Sequence, residues 1–405
     1  MNKHKLVPNI RFKGFENEWR DEKLGKITKY VKGYAFESKL YTENGIRLIK
    51  ATDLTNKKIR KENENATYIP QTEATKFKKY VIHQKDIIIT TVGSKTKLKN
   101  SSVGRAIYVD NSKNYLLNQN LVKVTALNDF DSFFIYTQLE QPKYINYISK
   151  IERGNANQAN IEIKDLWNYP IKVSNIKEQQ KISDLFIKLD KLIDLHQQKI
   201  ERLELLKKAL LQKLFPKHDA KIPELRFKGY EKDWDERKLN SITKRLDNYR
   251  KPITANKRLS GQIPYYGANG IQDYVKGYTH EGEFVLIAED GANDVRNYPV
   301  RFVKGYIWVN NHAHVLQAKI ATSNNLFLSY SLKNKNLLPY LVGSGRMKLN
   351  ADVLMNLLLK IPSLKEQQKI GNLLSKVDQL IELENKKLQN FQQLKKCLLQ
   401  NMFVE

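Results

Sequence analysis

Two copies of one long helical segment in a single chain constrain this sequence more than any other feature. Residues 177–215 read KEQQKISDLFIKLDKLIDLHQQKIERLELLKKALLQKLF, and residues 365–403 read KEQQKIGNLLSKVDQLIELENKKLQNFQQLKKCLLQNMF, identical at 20 of 39 positions. Apolar residues recur at Ile182, Leu185, Leu189 and Leu192, then Leu203, Leu206 and Leu210. The second copy follows with Ile370, Leu373, Val377 and Leu380, then Phe391, Leu394 and Leu398. Steps of three and four are the period of one helix face, and Pro216 stops the first copy. At 1.5 Å per residue each copy spans roughly 58 Å. A helix that long with one apolar stripe needs a partner along its length. Because the stripes match position for position, the expected partner of each copy is the other, as an antiparallel coiled coil; separate packing on two domains is the alternative. His196 and Glu384 interrupt the stripe at equivalent places, either setting register or leaving a polar contact.

A second repeat frames the chain. PNIRFKGFENEWRDEKL at 8–24 returns as PELRFKGYEKDWDERKL at 223–239, with 9 of 17 positions identical, including Arg11/Arg226, Gly14/Gly229 and Trp19/Trp234. This pair is offset by 215 residues and the helices by 188, so the stretches between boxes differ in length by 27. The frame is duplicated and its contents are not. Strand-like runs fill the first stretch at 46–50, 86–91, 104–109 and 121–125, and the second at 263–266, 284–288, 300–302, 306–309 and 314–316. Short helices are expected at 132–139 and 325–332. The fold class is therefore α+β, with two globular domains, 1–176 and 218–364. The helices 177–217 and 365–405 separate them in a pseudo-two-fold internal repeat.

The balance of charge says what such a body meets. Against 43 Asp and Glu stand 70 Lys and Arg, a net charge of +27, which points to a polyanion, most often nucleic acid. One cysteine, Cys397, excludes an internal disulfide and a cysteine-based zinc site. With no apolar leader at MNKHKLVPNI and no run of 18 apolar residues, a soluble cytoplasmic protein without membrane contact is expected.

Two unlike segments, each opened by an RFKG[FY]…W box and closed by a near-identical EQQKI helix, resemble the specificity subunit of type I restriction-modification systems over nearly the whole chain. KGYAFESKLY at 32–41, IRLIKATDL at 46–54, IPYYGANGIQDYV at 263–275, AEDGAN at 288–293 and NNHAHVL at 310–316 are further phrases similar to that family. The resemblance implies two target-recognition domains, paired conserved helices, and docking of two methyltransferase subunits and of restriction-translocase subunits. It implies a non-enzymatic chain that binds no cofactor itself, its partners using S-adenosylmethionine, ATP and Mg2+. Because the two domains carry different phrases, it implies an asymmetric bipartite site on double-stranded DNA. Two readers on one face of a duplex favour centres about 10 bp apart.

Candidate contacts follow from residue chemistry. Ser94, Lys95, Lys97 and Lys99, close to Arg105, form a Gly-flanked basic loop suited to phosphate contacts or to a solvated hairpin tip. Asn118, Gln119 and Asn120 offer amides that match adenine edges. Arg153, Asn155, Asn157 and Gln158 form a similar polar loop, which Arg346 and Lys348 mirror in a second glycine-rich loop. Tyr265, Tyr266 and Asn269 combine aromatic and amide groups, though tyrosines at that spacing also suit a core. His312 and His314 alternate on a strand-like run; with no third ligand at a suitable spacing, packing or DNA contact is the reading and no metal is expected. Glu178, Gln179 and Gln180, with Glu366, Gln367 and Gln368, are identical between the copies although a coiled-coil seam does not require it. They are read as equivalent docking surfaces, or as a shared helix start favoured by the dipole.

Catalytic motifs are missing. There is no GxxxxGK[ST] phosphate loop, no [DN]PP[YF] box and no Pro-Asp…[DE]xK nuclease pattern. An unrecognised methyltransferase or nuclease is one rival, separated by whether the purified chain alone modifies or cuts DNA. A coiled-coil scaffold or RNA-binding protein is the other, separated by sequence-specific retention of duplex DNA.

Overall fold

The computed structural model describes residues 6–55, 58–62, 65–95, 103–111, 113–155, 158–217 and 219–404. They divide into two units: Met1–Asp194 with Gln389–Glu405, and Leu195–Leu388. No helix among them is long and apolar enough to cross a membrane.

In the first unit, the apolar run Ile87–Thr90 is buried at all four residues. It lies inside an antiparallel sheet, between Ala106–Tyr108 and Leu121–Ala126, with Thr28–Lys32 at the far edge. A second four-stranded sheet runs Thr67–Ile69, Ile46–Ile49, Tyr115–Leu117 and Val81–Ile82, with one parallel pair, Leu116 beside Leu48. Arg20–Lys23, which follows the box tryptophan, pairs antiparallel with Pro170–Val173, which leads into the long helix.

The second unit repeats that ribbon as Asp235–Lys238 against Leu358–Ile361, but its body is different. One six-stranded sheet runs in the order Thr243–Arg245, Ala313–Ala318, His280–Ala288, Val300–Val309, Ser260–Gly267 and Gly270–Val275. The two strands expected at 300–302 and 306–309 are a single strand. Gly305 sits directly across from Gly282, both with positive φ (96° and 135°). Glycine bears that conformation at little steric cost, so the strand continues through the gap between the two expected runs.

The two short helices form at Ser132–Leu139 and Asn325–Asn334. Asp131 and Asn324 cap them, each accepting from the backbone N–H three residues on, as N-cap chemistry favours.

The long helices run Ile176–Lys213 and Leu364–Asn401 and pair antiparallel. Within the second unit, Glu384 meets His196 and Lys199, and Asp378 meets Lys207. Within the first, Lys395 bonds Asp190 at 2.5 Å. His196 and Glu384 are repeat counterparts, and in an antiparallel pair of two copies such residues meet at one level only. There the His196 Nδ1 lies 2.5 Å from a Glu384 carboxylate that is 1% exposed. Lys199 donates to that carboxylate and, with His196 and Lys387 adding, holds it down at about 2 despite burial.

The stripe itself is narrower than its periodicity suggests. Ile182, Phe186, Leu189, Leu374 and Val377 are buried, whereas Leu192 and Leu380, expected in the seam, are 37% and 44% exposed. Ile182, Phe186 and Leu189 are buried in the first unit's core and Leu374 in the second's, so the globular bodies take up part of the stripe and the leucines beyond them are left exposed.

Both units close on an aromatic cluster built from the repeated boxes. Trp19 packs on Phe134 and Phe403 at 5.5 and 6.0 Å between ring centres. Trp234 packs on Phe327 and Phe215 at 5.7 and 6.1 Å. The phenylalanine that ends each long helix thus packs beside the box that opens the other copy's frame. The units therefore cut across the contiguous boundaries 1–176, 177–217, 218–364 and 365–405 in the middle of both helices.

Candidate nucleic-acid interface

In the first unit, a small sheet gathers two of the expected clusters. Val92–Gly93 pairs with Ala159–Asn160, which pairs with Arg153–Gly154. This brings Ser94, just past Gly93, beside Gln158, just before Ala159, with Arg153 on the next strand. Ser94, Lys95 and Arg105 are half-buried, and Gln119 and Gln158 are exposed. Lys97, Lys99 and Asn157 lie outside the described residues.

Three candidates here have structural work. Asn118 is 8% exposed, its carbonyl pressed so close to Gly33 that a Cβ there would lie 1.8 Å away. Only Gln119, exposed, and Asn120, half-buried, remain of the amide trio as surface groups. Arg153 is paired with Glu162 and, at 2.8 Å, with Asp165, so its charge is already compensated. Asn155 accepts from the Gln158 backbone N–H at 3.0 Å and shapes the loop.

In the second unit the structure joins stretches that the sequence keeps far apart. Tyr265 is buried, its hydroxyl bonded to both backbone groups of Ile253 and its ring under Arg258 at 4.2 Å. It is a core residue, as the spacing alternative allowed. Tyr266 beside it is half-buried, and burial pushes its hydroxyl up.

His314 is 1% exposed and holds Asp247 through Nδ1 (2.7 Å) and the Leu349 carbonyl through Nε2 (2.9 Å). A buried side chain cannot touch DNA, which corrects the contact reading for His314. Asp247, Glu289 and His314 do offer three ligand atoms within 4.8 Å of one another, a convergence invisible in their spacing. Arg250 occupies both carboxylates, at 3.6 and 2.7 Å, and Lys348 binds Glu289 at 2.9 Å. Burial works against ionising Glu289, but Arg250 and Lys348 hold it below the ordinary carboxylate range. The cluster is an ion-pair network, with both Glu289 oxygens on cations and Asp247 Oδ1 accepting from the Val315 N–H. Its effect is to fix the 343–348 loop on the sheet, together with the Leu349 N–H donating to the Glu289 carbonyl at 2.7 Å.

Beside it, half-buried His312 and exposed Arg346 share Asp290, at 2.6 and 3.1 Å. Asn269 bonds the neighbouring turn at Gly291, and Arg301 donates to the Asn269 carbonyl at 3.0 Å. Arg301, Asn293 and Arg250 escaped the sequence reading. The signal available was Gly270 and Gly291, each inside a family-like phrase and each close beneath an arginine.

The duplicated polar run at the helix starts faces inward. Arg11 grips Glu178 with two hydrogen bonds (2.7 and 2.9 Å), and Arg226 grips Glu366 the same way (2.8 and 3.0 Å). Gln179 donates to the Ser174 carbonyl and accepts from Asp131 N–H; Gln367 donates to the Pro362 and Thr322 carbonyls and accepts from Asn324 N–H. Glu178, Gln179, Glu366 and Gln367 are each at most 1% exposed. The docking role expected of these four is thereby corrected: they fasten box, helix start and capped short helix together. Gln180 and Gln368 alone of that set reach solvent.

Comparison with known proteins fits this repeated frame. A family model described as the type I restriction modification DNA specificity domain matches residues 16–205 and 231–393. The chain is 44% identical over 158 residues to a type I restriction enzyme specificity subunit of Haemophilus influenzae. That match covers 39% of this chain and 40% of the relative, less than half of either. The type I restriction enzyme MjaVIII specificity subunit of Methanocaldococcus jannaschii is 21% identical over 432 residues, covering 94% of this chain and 91% of the relative. Among solved structures, a type I restriction-modification S subunit from M. genitalium aligns at a TM-score of 0.70 and 19% identity, covering 98% of this chain and 99% of that one. This last likeness is one of fold.

Proposed function

The chain belongs to the type I restriction modification DNA specificity family, and we propose that it reads a bipartite, asymmetric site on double-stranded DNA for a complex whose catalysis resides in other chains. The observation that carries this reading is the duplicated frame around unlike sheets. Both units have the same box, ribbon, capped helix and Arg–Glu clamp, yet one holds paired four-stranded sheets and the other a six-stranded sheet. Selection for one partner on both sides preserves the frame, and selection for two different half-sites diversifies what it holds. The net charge of +27 supports a polyanionic ligand.

The same reading assigns two methyltransferase subunits and restriction-translocase subunits as partners. They, not this chain, use S-adenosylmethionine, ATP and Mg2+, in the cytoplasm. Apolar side chains left in solvent on the long helices are the docking surface it favours: Leu192 and Leu394 in the first unit, and Leu195, Leu205, Leu206, Leu380 and Leu383 in the second. Mapping methylated bases in a host expressing the complex is the test. The expected result is one motif of two unlike halves around an unread gap. A palindromic motif, or methylation by this chain alone, sinks the reading.

A further inference from the structure

Two glycine turns in the second unit are stapled to one another, and an arginine lies on each. Asn269 is the staple. Its Nδ2 donates to the Gly291 carbonyl (2.9 Å) and Asn293 Oδ1 (3.2 Å), and its Oδ1 accepts from Asn293 N–H (2.9 Å). Gly270 has φ +120°, and a Cβ there would lie 3.0 Å from the Arg301 guanidinium. Gly291 has φ +67°, and a Cβ there would lie 3.0 Å from Arg346 Nη2. Each guanidinium thus rests on backbone that only glycine leaves bare.

Both arginines are exposed yet fixed. Arg301 donates Nη2 to the Asn269 carbonyl at 3.0 Å, and Arg346 donates Nη2 to Asp290 at 3.1 Å. Among the described residues each anchor takes one of the two Nη2 hydrogens, His312 Nδ1 being itself bonded to Asp290. The second Nη2 hydrogen and the Nε–H or Nη1–H parallel to it remain as a two-donor fork for a ligand. Asp290 already offsets the charge of Arg346, which weakens it as a phosphate contact. What survives that offset is a planar fork held in one place. Phosphate asks for charge and tolerates a flexible ammonium; a guanine edge, with O6 and N7 side by side, asks for two parallel donors. In contrast, Arg153, one of the candidate arginines of the first unit, is held by two carboxylates.

We propose that Arg301 and Arg346 each read a guanine in the part of the DNA site contacted by this unit, an assignment that rests on the DNA-reading function proposed above. Asn269, its amide spent on the staple, is a positioning residue and does not itself read adenine.

The test uses the complex reconstituted from the full chain and its methyltransferase subunits. Random-sequence duplexes retained by the wild-type complex define the motif, and duplexes with single base pairs replaced then measure each position. Arg301→Lys and Arg346→Lys keep the charge and lose the fork. Each variant is expected to lose roughly ten- to hundredfold in discrimination at one G·C pair, with the remaining positions unchanged. A second measurement leaves the protein untouched: 7-deazaguanine, which lacks the N7 acceptor, is placed at each guanine in turn. Wild type is expected to lose affinity at two positions, and Arg301→Lys to become indifferent at one of them. Intact discrimination in the lysine variants, or equal weakening on cognate and replaced duplexes, overturns the assignment and returns both arginines to phosphate contact or mere surface. Insensitivity of wild type to 7-deazaguanine overturns it even if the variants misfold. Should the wild-type complex retain no sequence selectively, the DNA-reading function itself fails, and that outcome is distinct from the others.

Discussion

Glu178 and Glu366 are carboxylates buried at the starts of the two long helices, each gripped by one arginine. An EQQK run at a helix start looks like a solvated surface, because acidic groups are favourable near the positive end of the dipole and need no other partner. The arginines that bury these carboxylates stand 167 and 140 residues away, and no local pattern announces them. Removing one partner leaves a charge buried without compensation, so Glu178→Ala and Glu366→Ala should each cost about 3–5 kcal/mol. Equilibrium urea denaturation measures this, and near-wild-type midpoints would mean that the clamps are incidental. Gln179→Ala with Gln367→Ala should likewise lower stability, by about 1–3 kcal/mol for each side chain's broken hydrogen bonds. A pure docking role would instead leave the melting curve of the chain unmoved.

At the scale of the helix, periodicity correctly located both long elements and the polar interruption, and overstated the width of the seam. Leu192 and Leu380 obey the three-and-four rule yet are left partly in solvent, since period tells which face a residue is on and not how far its neighbours reach across it. Leu192→Asp and Leu380→Asp should therefore change stability by no more than about 0.5 kcal/mol, while Leu189→Asp and Val377→Asp should cost several kcal/mol. Thermal melts of the four variants separate the two groups. If the exposed leucines receive the methyltransferase subunits, the first pair should weaken assembly by native mass spectrometry even so. The same helices carry a pH response. Glu384 is held at about 2 in the folded chain against an ordinary 4.5, so its contribution is full above about 4.5 and is lost as pH falls from there toward 2. Glu384→Gln should flatten that part of the stability profile, and a profile identical to wild type between pH 4.5 and 2 would remove Glu384 as its source.

For the whole chain, the duplicated frame predicts that the recognition domains can be exchanged. Replacing residues 218–364 with the matching segment of a relative should alter one half of the methylated motif and leave the other intact. The core of the second unit adds a condition. Leu214 and Phe215, at the end of the first helix, pack in the same core as Trp234 and Phe327. A donor segment with aromatics at those two positions should fold and switch specificity. One without them leaves Phe215 facing a gap, and should lower the melting temperature before it changes the motif. Methylome sequencing beside thermal melts reads both outcomes, and alteration of both half-motifs would refute independent readers.

Duplication, helix period, charge and the boxes are local or one-dimensional properties, and the sequence alone determined them: an α+β chain with two unlike globular bodies, two paired helices and a net charge of +27 that points to a polyanion. Spatial convergence was decided elsewhere. Asp247, Glu289 and His314 meet across 67 residues of chain; Arg301 reaches back to Asn269, and Arg346 to Asp290. The same packing hid Asn118, Tyr265 and His314 in cores and turned Glu178, Gln179, Glu366 and Gln367 inward. Burial and partner choice depend on which distant segments a fold brings together, and only tertiary structure sets that.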